Sequence, residues 1–113
     1  MPRWRKLAPQ EIDEAIAHGV VLLDFFQESC PPCHALEPRL EAFAHHHQGE
    51  LEILQVDIDG NQETPQRFGI MSIPTLILFR DGTEAGRLDG LIREDDLEQA
   101  LARAATANRK ENA

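Results

Sequence analysis

Apolar residues recur at two different spacings along this chain. Where they lie three or four positions apart they predict helices, and where they form near-continuous runs or follow a hairpin signal they predict strands. The predicted helices cover about residues 8–18, 31–48, 64–69 and 94–105. The predicted strands cover 20–26, 51–58, 75–79 and 83–88. Helices therefore separate the first three strands, as in an α/β domain.

The predicted strands also indicate how the sheet is built. Val20–Phe26 is nearly continuous in apolar residues, as expected of a central strand covered on both faces. Asp81-Gly82 marks a tight hairpin between the last two strands. We therefore predict an α/β fold: a central mixed β-sheet, parallel in its core, flanked by helices on both faces, with a C-terminal antiparallel hairpin and helix. The 113 residues fit one domain, 1–113, with a core of about 8–105 and a C-terminal tail at 106–113.

Individual residues mark the helix ends. Pro38 lies inside the second predicted helix, where it removes one backbone hydrogen bond and bends the helix. Thr64 is the predicted N-cap of the third helix, with Pro65 in the first turn and Gly69 at the end. Arg93 stands at the expected N-cap of the last helix, although arginine is a weak capping residue.

Composition and charge narrow the class of function. The 20 acidic residues outnumber the 11 basic ones, and the formal net charge of -9 repels phosphate backbones and anionic lipid, so neither nucleic acid nor membrane is an expected partner. The basic cluster Arg3, Arg5 and Lys6 is followed by Pro9 and acids instead of an apolar stretch, so we expect no signal peptide. The longest apolar run, broken by Asp24, is far shorter than the roughly 20 residues of a membrane span. We therefore expect a cytoplasmic protein.

The candidate chemistry lies in Cys30-Pro31-Pro32-Cys33, which holds the only two cysteines. Cys30 stands where a predicted strand meets a helix start, the place where open α/β sheets hold their functional sites. At the N-cap its sulfur faces the positive end of the helix dipole, which stabilises a thiolate. The two prolines have no N–H, so Cys33 is the first residue that can donate an amide to this sulfur. The i to i+3 spacing on a helical turn brings the two Cα atoms within the roughly 4.4–6.8 Å that a disulfide needs.

Two other interpretations of the cysteines remain open. They could form a zinc site with His34 or with His45, His46 and His47, but three consecutive histidines cannot all point one way from a helix, and the chain has no second CxxC. They could also be two inert buried thiols. Neither interpretation accounts for the position at a helix start, so we expect no metal.

Three stretches resemble the thioredoxin family at matching offsets: VVLLDFFQESCPPCHALEP, FGIMSIPTLILF and RDGTEAGRLDG, within a match over about residues 8–105. A CxxC beside a βαβ pattern is itself a thioredoxin-like signature. The resemblance implies the thioredoxin fold and a monomeric thiol-disulfide oxidoreductase that reduces protein disulfides through Cys30 and Cys33. It also implies no cofactor beyond that redox-active disulfide, disulfide-containing proteins as substrates, and a thioredoxin-reductase-like electron donor.

The resemblance assigns roles to single residues. Cys30 is the exposed, attacking thiol and Cys33 the buried, resolving one. Asp24 matches the family's buried acid; burial should raise its pKa and make it a base or acid for Cys33, directly or through water. The alternative for Asp24 is a strand acid satisfied by backbone amides. Pro74 matches the cis-proline beside the disulfide, and Pro38 the kink proline of the active-site helix.

Three further residues, Ile73, Gly90 and Leu91, would flank the cysteines as a small apolar surface for substrate. Residues of these types are also ordinary core or turn positions. We expect the substrate to bind across this surface, next to Pro74.

The chain departs from the family pattern near the cysteines. Ser29 replaces a typical tryptophan, and Pro31-Pro32 replaces glycine-proline, so we expect both to affect substrate fit and redox tuning. Gln55 takes the position of a lysine near the buried acid, which leaves Asp24 without a charge partner and harder to ionise. His34 also replaces a lysine; it could assist the first cysteine when protonated or have no role.

Two rival functions are compatible with the sequence. One is an oxidant, isomerase or maturation factor on the same fold, since CPPC also occurs in exported relatives of thioredoxin; the lack of a signal peptide disfavours it. The other is a non-catalytic binding or assembly module with incidental cysteines. The loss of two amide donors keeps Cys30 from the extreme acidity of a strong oxidant, so we predict a reductant.

Overall fold

The computed structural model of the chain describes residues 4–111, with side chains as far as residue 105. Within this range the elements follow in the predicted order. They are a 3-10 turn Pro9–Glu11, α1 Ile12–Ala15, β1 Val20–Phe26, α2 Pro31–His46, β2 Glu52–Asp57, α3 Glu63–Phe68, β3 Thr75–Arg80, β4 Thr83–Asp89 and α4 Glu94–Glu111. Among these residues, no helix combines the length and the apolar character needed to cross a bilayer.

The four strands form one mixed sheet in the order β2-β1-β3-β4. β1 is central, as predicted, and the β3–β4 hairpin is antiparallel. The prediction of a parallel core is wrong in part, because β1 is parallel to β2 but antiparallel to β3. The connection through α3, over residues 58–74, brings the chain back to the end of the sheet at which β2 stops. Thr75 therefore starts β3 opposite Phe25, near the edge where β2 ended.

Helices cover both faces of the sheet, as the sequence predicts. Successive side chains of a strand point to opposite faces. On β1, Leu22 packs in a buried cluster with residues of α2 and α4, whereas Leu23 and Phe25 pack in a second cluster with Ile12 of α1. β1 is thus buried on both sides, which explains why its sequence is nearly all apolar.

α2 begins at Pro31 as predicted, but α1 ends at Ala15 and α2 at His46, short of the predicted residues 18 and 48, and the start of α3 differs too. Gln62, and not Thr64, is the N-cap of α3, and its side chain makes no capping bond. Asn61 supplies that bond, because its Oδ1 accepts from the Thr64 amide at 3.2 Å while its Nδ2 donates to the Thr64 hydroxyl at 2.8 Å. Gly69 ends α3 with a φ of 65°, in the left-handed region that favours glycine.

The last helix is longer than predicted. Its first turn is capped by an acid, since Asp96 Oδ2 accepts from the Arg93 amide at 2.9 Å and so compensates for the weak capping residue. The backbone of α4 remains helical to Glu111, past the predicted start of the tail at residue 106. The remainder of the predicted tail, residues 112–113, and the side chains of 106–111 lie outside the described part of the chain.

Candidate functional site

Cys30 and Cys33 form a disulfide at the start of α2. Cys30 is the N-cap in an extended conformation, with a φ of -102°, and Pro31 and Pro32 occupy the first turn. The Cys30 sulfur accepts a hydrogen bond from the Cys33 amide at 3.2 Å. The Cα atoms are 5.3 Å apart. The predicted N-cap, the Cys33 amide as donor to the Cys30 sulfur, and the bonding reach of the pair are confirmed.

The two cysteines differ in accessibility less than the resemblance implies. Cys30 is 9% exposed and Cys33 2% exposed. Both pack in a small apolar cluster with Phe26 at the end of β1 and Ile73 in the loop before β3. Cys30 is therefore the more accessible of the two, but only its edge reaches solvent because Phe26 and Ile73 cover the rest.

Asp24 lies on the face of β1 that carries the cysteines, since side chains at positions 24 and 26 share a face and Phe26 packs on the disulfide. Asp24 is 1% exposed. The pKa of Asp24 is raised to about 6, mainly because burial disfavours the ionised carboxyl. The hydrogen bond from Gln55 lowers the pKa, and the negative charge of Glu37 raises it. The alternative of a strand acid satisfied by backbone amides is wrong, because its one hydrogen bond among the described residues comes from a side chain.

Gln55 is the partner of Asp24. The parallel register of β1 and β2 places the two residues side by side, and the Gln55 side-chain amide donates to Asp24 Oδ2 at 3.1 Å. The N-terminal segment fixes Gln55 from the other side: the Leu7 amide donates to the Gln55 carbonyl at 2.8 Å, and the Gln55 amide donates to the Arg5 carbonyl at 2.9 Å. The sequence reasoning identified Gln55 but missed this pairing.

His34 contacts the loop that precedes the disulfide. Its Nε2 lies 2.5 Å from the carbonyl of Glu28, and its Nδ1 lies 3.8 Å from the Glu37 carboxylate. The hydrogen bond with Glu28 is the largest of the influences that raise the pKa of His34, and the charges of Glu37 and Glu28 add to it. Lys6 pairs with the Glu28 carboxylate at 3.0 Å from the other side. His34 thus holds the loop, and sequence reasoning missed both Glu28 and Lys6.

A groove of about 350 Å³ runs beside the disulfide turn. Its lining includes the four predicted substrate-contact residues, Ile73, Pro74, Gly90 and Leu91, together with Pro32, Ala35, Leu36, Arg39 and Ile92. The Ile73–Pro74 peptide bond is cis, as the resemblance implies, and the Leu91 side chain is 68% exposed. Sequence reasoning missed Arg39, although its spacing of seven from Pro32 puts both on one helix face.

The histidines of the zinc interpretation do not gather around the cysteines. The His47 ring binds Glu98 at 2.8 Å and Glu50 at 3.2 Å, while the cysteines are bonded to each other. Within the described residues, no three His, Cys, Asp or Glu side chains are arranged to hold a metal ion. The described residues therefore offer no ligand set for the zinc interpretation of the cysteines.

A disulfide at a helix start, set beside a cis-proline on a mixed α/β sheet, defines a thiol-disulfide oxidoreductase. The family model named Thioredoxin matches residues 3–103. Among curated relatives, a thioredoxin of Chlamydia muridarum is 46% identical over 93 residues, 80% of this chain and 87% of that protein. A thioredoxin of Staphylococcus haemolyticus is 38% identical over 96 residues, 85% of this chain and 92% of that protein. The chain belongs to the thioredoxin family.

Solved structures agree with this assignment. A point mutant of the thioredoxin from Halobacterium salinarum superimposes with a TM-score of 0.73 at 34% identity, covering 86% of this chain and 88% of that one. Thioredoxins exchange thiols and disulfides with protein substrates, receive electrons from a reductase, and need no cofactor beyond their redox-active cysteines. The predicted family, fold class and oxidoreductase function are confirmed.

Proposed function

We propose that the protein is a cytoplasmic reductant of protein disulfides. The observation that supports this direction is that, among the described residues, one amide donates to the Cys30 sulfur: that of Cys33, at 3.2 Å, while Pro31 and Pro32 have no N–H. Each extra donor would stabilise the thiolate and so the reduced form, which is the property of a strong oxidant. A moderately stabilised thiolate remains a good nucleophile and leaves the oxidised form favourable.

The reaction proceeds in two exchanges. The Cys30 thiolate attacks one sulfur of the substrate disulfide, which forms a mixed disulfide and releases the other substrate sulfur as a thiolate. The Cys33 thiolate then attacks the Cys30 sulfur, which forms the Cys30–Cys33 disulfide and releases the second substrate thiolate. Two electrons pass to the substrate, and its two thiolates take up two protons. The 5.3 Å between the Cα atoms permits the second step without a large backbone movement.

Asp24 is the proposed proton acceptor for Cys33. A thiol buried to the extent of Cys33 ionises poorly, so the second exchange needs a base. A carboxyl with a pKa of about 6 is mostly ionised at pH 7 and basic enough to take this proton, directly or through a water molecule. Its position on the cysteine-bearing face of β1 supports the role.

The other site residues have supporting roles. Pro31 and Pro32 tune the redox pair by withholding amide donors, and His34 tunes it by holding the preceding loop. Ile73, Pro74, Gly90 and Leu91 form the substrate surface, which their shared groove supports. We further propose that residues 1–113 form a single domain that acts as a monomer and needs no metal. We also propose that it binds neither nucleic acid nor membrane, which the net charge of -9 supports.

Insulin reduction tests the proposal. The wild type should accelerate the reduction of insulin by dithiothreitol, and Cys30→Ser should abolish the acceleration. Gln99→Ala is the control, because it changes an exposed side chain of α4 outside the groove and the disulfide cluster and should leave the rate unchanged. Equal rates for wild type and Cys30→Ser would favour the non-catalytic module.

A reduction-potential titration separates the reductant from the oxidant or isomerase. The reference value for thioredoxin itself is about -270 mV, and that of a strong disulfide oxidant is about -120 mV. A reduction potential for this chain near about -120 mV would contradict the proposed role as a reductant, although the thiol-disulfide exchange itself would still hold.

A further inference from the structure

Arg39 introduces charge into the groove beside the disulfide. It is the only charged side chain among the described residues that line the groove. Its guanidinium is held in place, because Nη1 donates to the carbonyl of Ile92 at 3.0 Å in a partly buried contact. A guanidinium carries five N–H donors in a planar fork that matches a carboxylate. An oriented arginine in an otherwise apolar groove is suited to bind an acid.

The backbone spacing along α2 gives a scale for where that acid would lie relative to the reacting cysteine. Pro32 and Arg39 share one face of α2 and are seven residues apart, which corresponds to about 10 Å along the helix. An extended peptide advances about 3.3 Å per residue. The rise from Pro32 to Arg39 equals about three residues of extended peptide, so we place an acid that reaches Arg39 about three residues from a cysteine bonded to Cys30.

We propose that Arg39 is a specificity-determining residue that favours disulfide substrates with an Asp or Glu about three residues from the reacting cysteine. This inference rests on the proposed function, since it concerns the substrate of the same exchange reaction. The substrate lies extended in the groove, with apolar contacts to Leu91 and Ile73 and its acid on the Arg39 fork.

The overall charge of the protein makes this preference depend on position. The net charge of -9 disfavours acidic peptides in general, and Asp89, next to Gly90 at the rim, is exposed. Direct contact with Arg39 outweighs this long-range repulsion only where the acid reaches the guanidinium. An acid near the cysteine should thus speed the reaction, and an acid far along the peptide should not.

Peptides carrying a cysteine bonded to a chromophoric aryl thiol provide the test, because attack by Cys30 releases the aryl thiol in one step. The set places Glu, Gln or Lys three residues before or after the cysteine, with one further peptide that carries Glu eight residues away. For one of the two placements, before or after the cysteine, the wild type should react about fivefold faster with the Glu peptide than with the Gln peptide at low ionic strength. About 0.5 M salt should remove most of the preference, and the distant Glu should give none.

Variants assign the preference to Arg39. Arg39→Gln should react equally with the Glu and Gln peptides, whereas Arg39→Lys should retain part of the preference. Arg93→Gln removes the same charge from an exposed position outside the lining and should behave as wild type. A wild type without a Glu preference in either direction, or an Arg39→Gln variant that keeps it, overturns the proposal. Failure to release aryl thiol from any peptide, neutral ones included, would instead overturn the proposed function.

Discussion

The side-chain amide of Gln55 donates to one oxygen of the buried Asp24 carboxyl at 3.1 Å, and the other oxygen, Oδ1, has no partner among the described residues. A neutral amide compensates a buried carboxylate less well than a cation does. The ionised form of Asp24 is therefore under-stabilised, which agrees with its pKa of about 6. This relationship leaves the site with a carboxyl whose pKa is about 6, as the proposed proton acceptor for Cys33 requires.

Asp24→Asn should stabilise the fold in a pH-dependent way. Because the pKa of Asp24 is higher in the folded state than its ordinary 3.8, ionisation costs the folded state free energy that is absent below pH 3.8 and fully present above about pH 6. The variant avoids this cost. We expect a gain of about 3 kcal/mol in the free energy of unfolding at pH 8 and little gain at pH 3.5. Guanidinium denaturation of the oxidised proteins measures both, with the exposed Asp89→Asn as control. The same gain at both pH values would contradict the explanation.

Substitutions at Gln55 should move the pKa of Asp24 in opposite directions. Gln55→Lys places a cation where the amide now donates at 3.1 Å, so it should lower the pKa of Asp24. Gln55→Leu removes the hydrogen bond and should raise it. NMR titration of the Asp24 carboxyl carbon reads both shifts. If the two variants moved the pKa in the same direction, the lowering of the Asp24 pKa would not come from the Gln55 hydrogen bond.

The parts of the site that the sequence predicted are those that depend on local spacing. The N-cap role of Cys30 follows from its place between an apolar run and a helical pattern, and the reach of Cys33 follows from its distance of three residues. The burial of Asp24 was implied by the family resemblance, and its place within a continuous apolar strand agrees with it. Each of these depends on neighbours along the chain, so the pattern contains the information.

The parts that could not be predicted depend on contacts between distant segments. The Arg5 and Leu7 backbones pair with Gln55 across about fifty residues, and no apolar pattern marks that segment as a strand. Whether β3 runs parallel or antiparallel to β1 depends on the path of the chain between β2 and β3, and the spacing of apolar residues does not show that path. Arg39 reaches the groove because Ile92, more than fifty residues away, supplies a carbonyl there.

His47 should link the stability of the α2–α4 contact to pH. Its Nε2 lies 2.8 Å from both Glu98 oxygens and its Nδ1 lies 3.2 Å from Glu50; the Glu98 hydrogen bond is the largest cause of its raised pKa. This stabilisation is fully present below about pH 6.5 and is lost as the pH rises through the higher pKa of the folded state. His47→Gln should therefore cost up to about 1 kcal/mol at pH 5.5 and less at pH 9.

The exposed His46→Gln is the control for this substitution, because it removes a neighbouring histidine at the end of the same helix. Urea denaturation at the two pH values gives the comparison. A loss of stability in His47→Gln that is larger at pH 9 than at pH 5.5 would rule out the ion-pair explanation.

The number of amide donors should set the reactivity of Cys30. In reduced Cys33→Ser, the rate of Cys30 alkylation by iodoacetamide should reach its half-maximum below about pH 8.5, the value of an ordinary cysteine, because the amide of residue 33 still donates to the sulfur. Adding Pro32→Gly restores an N–H in the first turn and should move the half-maximum lower. If the alkylation midpoint lay at or above that of free cysteine and did not change in Pro32→Gly, the helix start would not be what stabilises the Cys30 thiolate.

The most direct test of the exchange mechanism is the capture of its intermediate. Reduced Cys33→Ser and reduced Cys30→Ser are incubated with a protein disulfide, quenched with acid, and examined by mass spectrometry for a covalent adduct. Cys33→Ser should accumulate a mixed disulfide through Cys30, because the resolving thiol is missing, and Cys30→Ser should accumulate little because Cys33 is buried. Equal adducts in both variants, or an adduct through Cys33 alone, would contradict the assignment of Cys30 as the attacking thiol.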